Sequence, residues 1–380
     1  MIYLDHASAT LANPAALAEF ARVESTIPAN PLSAHDAGRE AADLLARATD
    51  GIASLLNIAP AGIIHTSGAS EANNLAIKGI TQAYKHIGRH ILSTCLEHPS
   101  VSGVLAALQE DGCEIELVKI LPTGQIDLAA LEAAIRPDTV LLCVSAVDSE
   151  LGVIQPIDAI CKILQSHPNC HLHIDAAQAA GKIPLDLTAA ATASISAHKF
   201  HGLAGAGILY KREGVVLAPL IHGGRSSSIY RSGTPAVGLA AATHTALEIA
   251  YANMAEDYQK VAALKSHITA AMAKYPLARI NSPPGGSPYI LNISVSGVKA
   301  QAFQAALNNH GVMVSTKSAC ATDNLPSRPV MAVTPDSSLK KKNALSSWRV
   351  SLSGQTTMAE IEGFLCAFDA CYEELAEATK

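Results

Sequence analysis

Short apolar runs alternate with amphipathic stretches along most of this chain. That alternation limits the fold more than any other feature. Candidate strands are Gly62–Thr66, His90–Thr94, Glu114–Val118, Val140–Ala146, His171–Asp175, Ala193–Ala197 and Gly207–Tyr210. Candidate helices are Ala34–Leu56, Glu71–Lys85, Ser100–Glu110, Leu128–Ile135, Ile157–His167 and Ala236–Ala255. Strands separated by helices, repeated several times, specify an α/β domain with a mostly parallel sheet. Ligands of such sheets bind beyond the carboxyl ends of the strands. The residues that close each apolar run therefore matter most.

The pattern changes near residue 258. Helical stretches Tyr258–Ala273 and Ala300–Gly311 flank a strand, Pro288–Val295, and a further strand (Trp348–Leu352) and helix (Met358–Ala378) follow. This reads as a smaller α+β domain, in keeping with 380 residues at about 150 per domain. Pro326–Ser347 is rich in proline and serine and holds Lys340–Lys342, so it reads as an exposed, mobile loop with a solvated lysine face.

Composition excludes several classes. Apolar residues at 49% against 16% charged rule out a disordered chain. A net charge of −6 provides no basic field for nucleic acid. No run of about 18 uncharged apolar residues suits a membrane span, and MIYLDHASAT lacks the pattern of a signal peptide. Eight scattered cysteines without a CxxC pair read as thiols of a reducing cytoplasm. His86 with His90, and His171 with His173, are poor metal pairs, and no metal site is expected.

Three strand ends carry chemistry. Thr66-Ser67-Gly68-Ala69-Ser70-Glu71 follows an apolar run and opens a helix, placing free N–H groups and hydroxyls at a positive helix end suited to phosphate. The same letters also serve an ordinary N-cap. Asp175 ends a strand, where a buried carboxylate needs a cation, strong donors or a capping role. Lys199 follows another strand, where desolvation favours an uncharged amine able to condense with an aldehyde. An exposed loop lysine is the plain alternative. Ser196 and Lys199 also match SxxK, but neither SDN nor KTG accompanies them. Taken together, an anion cradle, a counter-charge and an amine 24 residues beyond it are the partners that pyridoxal phosphate requires.

At this point the chain resembles the cysteine desulfurases of class V aminotransferase type (NifS/IscS-like), over nearly its whole length. Tyr3-Leu4-Asp5-His6-Ala7 resembles the family's YLDNA opening, and Asn30-Pro31-Leu32-Ser33 with Gly38-Arg39-Glu40 resembles NPSS and GRE. His65 to Ile77 (HTSGASEANNLAI) resembles FTSGATEANNLAI, and Leu96-Glu97-His98 resembles TEH. Ala197-His198-Lys199 resembles GHK, and Arg231 to Pro235 resembles RSGTP. Lys317-Ser318-Ala319-Cys320 resembles GSAC, which bears the reactive thiol, and Trp348-Arg349-Val350-Ser351 resembles IRFS.

The resemblance implies the pyridoxal-phosphate-dependent transferase fold of type I. It implies a large domain (13–257) with a mostly parallel seven-stranded sheet. Residues 1–12 and 258–380 would form a smaller C-terminal α+β domain carrying the mobile cysteine loop, about 316–347. It also implies roles. Lys199 would bond the cofactor's aldehyde carbon. His98 would stack on the ring and shuttle protons. Asp175 would pair with the ring nitrogen, and Gln178 and Ser149 would lie near the phenolic oxygen. Ala69, Ser70, Ser196 and His198 would hold the phosphate, with Thr234 reaching it from the partner subunit of a homodimer. Arg349 would clamp the substrate carboxylate.

The implied reaction takes sulfur from L-cysteine, leaving L-alanine and a persulfide on Cys320. A sulfur-acceptor or scaffold protein would receive the sulfur for iron–sulfur assembly or thiolation. The departures from the family pattern are Asp148-Ser149 for Asn-Asn, Lys317 for Gly, the altered 326–334 segment, and His6 for Asn near the substrate. Rival readings of the same letters are a selenocysteine lyase, another class V lyase or aminotransferase, and a weakly active paralogue that binds a sulfur carrier as a scaffold.

Overall fold

The computed structural model describes residues 1–380 apart from 225, 227, 318–324 and 377–380, with the backbone alone at 376. Seven strands form one sheet: β1 (Ile63–Thr66), β2 (His90–Ser93), β3 (Glu114–Leu117), β4 (Thr139–Ser145), β5 (His171–Asp175), β6 (Thr192–Ser196) and β7 (Gly207–Lys211). Their order is β1-β7-β6-β5-β4-β2-β3. β7 is antiparallel to both neighbours and every other pair is parallel. These are the seven strands expected from the apolar runs.

β4 is buried at all of its positions. Its side chains serve two cores, with Leu142 and Val144 in one and Leu141 and Cys143 in the other. A strand covered on both faces loses the apolar–polar alternation and reads as a continuous apolar run. Because β1, β2, β4, β5 and β6 run the same way, their carboxyl ends share one edge.

A second, antiparallel sheet places Ile290–Val295 between Ser347–Ser351 and Ala278–Ile280. The few aromatics concentrate behind it. Trp348 stacks on Phe303 with ring centroids 5.3 Å apart, and Phe364 and Phe368 close the cluster. Aliphatic side chains and alanine fill the cores of the large sheet. The first residues of the chain join this region. Ile2–Tyr3 pairs with Val312–Met313, and Asp5 bridges Ser351. The next residues, Ala7 and Ser8, then reach Lys199.

Two expectations are corrected. Ala236–Ala255 and Tyr258–Ala273 are one helix, Val237–Met272. It packs in one core through Leu247 and re-enters packing at Val261. The turns between carry no buried side chain, so the apolar stripe breaks while the helix continues. Residues 326–347 are not an exposed loop throughout. They contain helices Arg328–Val333 and Lys340–Leu345, with Val330 and Ala344 buried against Leu96, Leu151 and Val153. Ser327 caps the first of these helices and Pro329 lies in its opening turn. Proline and serine here supply helix-start chemistry rather than loop chemistry. Lys341 and Lys342 are exposed, as a solvated face requires.

Among the described residues no helix is long and apolar enough to cross a membrane, and no cluster of side chains could hold a metal ion.

Candidate active site

One cavity of about 250 Å³ opens beyond the shared strand edge. Ala69, Ser70, His98, Ser149, Asp175, Gln178, Ser196, His198, Lys199 and Arg349 all line it, although they span 280 positions of sequence (349 less 69).

The turn after β1 forms its anion end. Helix Ala69–Ala83 begins at Gly68, whose φ is 152°, without a side-chain cap. Its first N–H groups are thus left for a ligand. A Cβ on Gly207 would stand 2.4 Å from Gly68 Cα, so the two backbones touch and only glycine fits. Ser196 Oγ lies 3.1 Å from His198 Nδ1 on the same side. Burial pulls the His198 pKa down to about 4, so it is a neutral partner near neutral pH.

Asp175, at the end of β5, accepts from Asn73 Nδ2 at 2.9 Å and from the Ala177 N–H at 3.0 Å. Gln178 follows on the next turn. Its Oε1 accepts from Lys182 Nζ at 2.9 Å and its Nε2 donates to Ala7 O at 2.9 Å. Lys199 Nζ donates to the same Ala7 O (2.8 Å) and to Ser8 O (2.7 Å). The amino-terminal residues therefore hold the amine at the cavity wall.

His98 caps helix Pro99–Glu110, with Nδ1 accepting from the Ser100 N–H at 3.1 Å. Burial lowers its pKa, an effect that the Asp175 charge opposes. The preceding Glu97 is buried and accepts from Thr94 and Ser145, each at 2.6 Å. Burial pushes its pKa up to about 8.

Arg349, on the strand of the second sheet nearest the cavity, is 1% exposed. Nη2 donates to Asp5 Oδ1 and Ser8 Oγ, both at 2.8 Å, and Nη1 to Ser149 O at 2.7 Å. Its buried Nε has no partner. A buried guanidinium donor without a partner costs free energy unless an anion meets it.

Not every expected residue falls here. Thr234 lines a neighbouring cavity with Ser67 and Arg231, not this one, within its own chain. His6 lines a second cavity, with Lys182, Lys199 and His201, rather than this one. Ser149 meets Arg349 through its backbone carbonyl, a contact that any residue could make. Cys320 lies outside the described residues. Sequence reasoning missed Asp5, Ser8, Asn73, Ser100 and Lys182. Asp5 and Asn73 stand inside matched motifs, which was their only signal.

The residues present fit pyridoxal phosphate. An uncapped helix start with Ser70, Ser196 and His198 suits a phosphate, and a strand-end carboxylate faces the same space. A lysine amine and a histidine ring complete the set. Such a site on a mostly parallel sheet defines a pyridoxal-phosphate enzyme.

The aminotransferase class-V family model matches residues 2–364. The chain is 34% identical to the "NifS/IcsS protein homolog" of Lactobacillus delbrueckii subsp. bulgaricus, covering 99% of this chain and 98% of that one. It is 35% identical to "Cysteine desulfurase IscS" of Shewanella halifaxensis, over 95% and 90%. The solved structure of a "NIFS-LIKE PROTEIN" superposes with a TM-score of 0.92 at 30% identity, over 98% of this chain and 100% of that one. The chain belongs to the aminotransferase class-V family, in its NifS/IscS-like cysteine desulfurase branch.

Proposed function

We propose that this enzyme removes sulfur from L-cysteine, releases L-alanine, and carries the sulfur on Cys320 to an acceptor protein. The supporting observation is the meeting of Lys199, Asp175, His98 and Arg349 on one cavity. A lysine and a carboxylate alone would suit any pyridoxal-phosphate enzyme. The guanidinium adds a seat for an amino-acid carboxylate. The likeness to "Cysteine desulfurase IscS" supports the choice of amino acid.

Ala69, Ser70, Ser196 and His198 would hold the cofactor's phosphate, Asp175 its ring nitrogen, Gln178 its phenolic oxygen and Lys199 its aldehyde carbon. Thr234 of a second copy would complete the phosphate site in a homodimer. When bound, the cofactor supplies an electron sink that loosens the bonds of the substrate amino acid.

This chain's own residues do the rest. Arg349 seats the carboxylate, and three bonds from its Nη groups to Asp5, Ser8 and Ser149 already fix the guanidinium, so the fork enters binding preorganised. Lys199 Nζ and His98 Nε2 hold and move protons. Cys320 attacks the substrate sulfur as thiolate. The S–S bond forms, the Cβ–S bond breaks, its electron pair stays with Cβ, and Cβ takes a proton. The balance is L-cysteine plus a thiol giving L-alanine plus a persulfide. An unperturbed thiol is only about 3% ionised at pH 7, so the proton released by Cys320 must be accepted within the site. A reducing cytoplasm would keep that thiol available between turnovers.

The test compares the native enzyme with Cys320→Ala. L-cysteine should yield equal amounts of alanine and transferable sulfur, and Cys320→Ala should abolish both while the protein keeps its cofactor. Full activity in Cys320→Ala would overturn the persulfide route.

A further inference from the structure

Behind Asp175 and His98 lies a set of side chains that the reaction above does not use. Asn73 Nδ2 is 2.9 Å from Asp175 Oδ2 and 2.8 Å from Ser100 Oγ. Ser100 Oγ is 2.8 Å from His98 Nδ1. On the other side, Asn73 Oδ1 is 2.9 Å from His173 Nε2, and His173 Nδ1 is 2.9 Å from Thr192 Oγ1. Asn73, His173 and Thr192 are completely buried.

Donor and acceptor chemistry gives each of these bonds one direction. The Ser100 N–H can only donate, and its acceptor is His98 Nδ1. That nitrogen therefore carries the lone pair, and the proton of the neutral ring sits on Nε2. An amide NH₂ can only donate, so Ser100 Oγ accepts from Asn73 and passes its own proton toward His98 Nδ1. Turning the Asn73 amide over would set its oxygen against the Asp175 carboxylate, acceptor against acceptor. Asn73 Oδ1 must therefore accept from His173 Nε2–H, and His173 Nδ1 accepts from the Thr192 hydroxyl. Burial pulls the His173 pKa down to about 4, which keeps the neutral ring that this direction needs. The bonds run from Thr192 through His173 to Asn73. There they divide, one branch to Asp175 and one through Ser100 to His98.

We infer that Asn73 is a positioning residue whose single amide orients Asp175 and His98 together, with Ser100 holding the His98 proton on Nε2, toward the cavity. The inference rests on the active-site reading above and deepens it. Two groups assigned to opposite tasks, a counter-charge and a proton carrier, have one orienting partner. Loss of that partner disturbs both. Asp175, Lys199 and Arg349 are the charged groups whose fields reach His98.

The experiment uses holoenzyme carrying Asn73→Ala, Ser100→Ala, both changes, or Ser100→Thr. Two readings are taken without substrate: the position and pH midpoint of the bound cofactor's visible absorption, and the ¹⁵N shifts of the His98 ring, assigned with His98→Gln. Asn73→Ala should move the absorption midpoint and broaden or shift the His98 signals. Ser100→Ala should change the His98 signals alone, and Ser100→Thr should restore them. With L-cysteine, kcat should fall about 10-fold in either alanine variant with KM within about 2-fold, and the double variant should be no worse than about the larger single effect. An unchanged absorption midpoint with unchanged His98 signals in Asn73→Ala overturns the inference, as does simple multiplication of the two effects on kcat. If Asn73→Ala does not fold, Ser100→Ala and Ser100→Thr decide through the His98 signals. The substrate-free readings stand even if L-cysteine proves not to be the substrate, so the two failures are distinguishable.

Discussion

Arg349 and Asp5 meet at 2.8 Å, joining the edge strand of the second sheet to the first turn of the chain. The guanidinium is all but sealed from solvent, and Asp5 is its only carboxylate partner among the described residues. Removing Asp5 would leave a buried cation without a counter-charge. Asp5→Ala should therefore lower the unfolding free energy by about 3 kcal/mol, read from urea denaturation. Arg349→Lys cannot reproduce three fixed donors and should raise the KM for L-cysteine at least about 10-fold, with a smaller effect on kcat. An unchanged KM would show that the carboxylate seat lies elsewhere.

Gly207 tests the phosphate end. A methyl group there meets the Gly68 backbone, which cannot yield as a flexible side chain would. Gly207→Ala should cost about 1–3 kcal/mol of stability. It should also weaken cofactor binding by about 10-fold or more, because the displaced turn carries the helix N–H groups. Titration of the cofactor-free variant with pyridoxal phosphate measures this. Native affinity would mean that the helix start does not hold the phosphate.

Lys182 offers a pH test. It is 7% exposed, and no carboxylate oxygen among the described residues lies within 4.0 Å of its Nζ. Burial lowers its pKa from 10.5 to about 7. The unfolded chain therefore binds one more proton than the folded chain between those values. Stability from this group is complete above pH 10.5 and is lost as pH falls through about 7. Over that window the native protein should gain up to about 1.4 kcal/mol per pH unit relative to Lys182→Met. Parallel stability curves for the two proteins would contradict the assignment. Because Lys182 also fixes the Gln178 amide, Lys182→Met should shift the absorption of the bound cofactor.

Much of this is legible in the sequence. Most of the strands can be read because they are short, largely apolar runs, and Asp175 and Ser196 are polar residues that close two of them. Lys199 was found because it follows one of them by three positions. What failed had physical causes. The 36-residue helix Val237–Met272 has buried side chains up to Leu247 and again from Val261, with none between, so its stripe is interrupted around Glu256 and Asp257. Pro326–Ser347 has a loop's composition, yet Ser327 and Pro329 start a helix. Asn73 could not be given a role from sequence, because its partners Ser100, His173 and Asp175 lie 27, 100 and 102 positions away. Proximity of that kind is set by the sheet, not by spacing.

The most direct test of the central claim is mass spectrometry of the Cys320 peptide from enzyme mixed with L-cysteine and quenched before any acceptor or reductant is added. The account predicts that the peptide gains the mass of one sulfur atom while an equal amount of alanine forms. Alanine formed while Cys320 gains nothing, or sulfur found on another cysteine at full turnover, would contradict it.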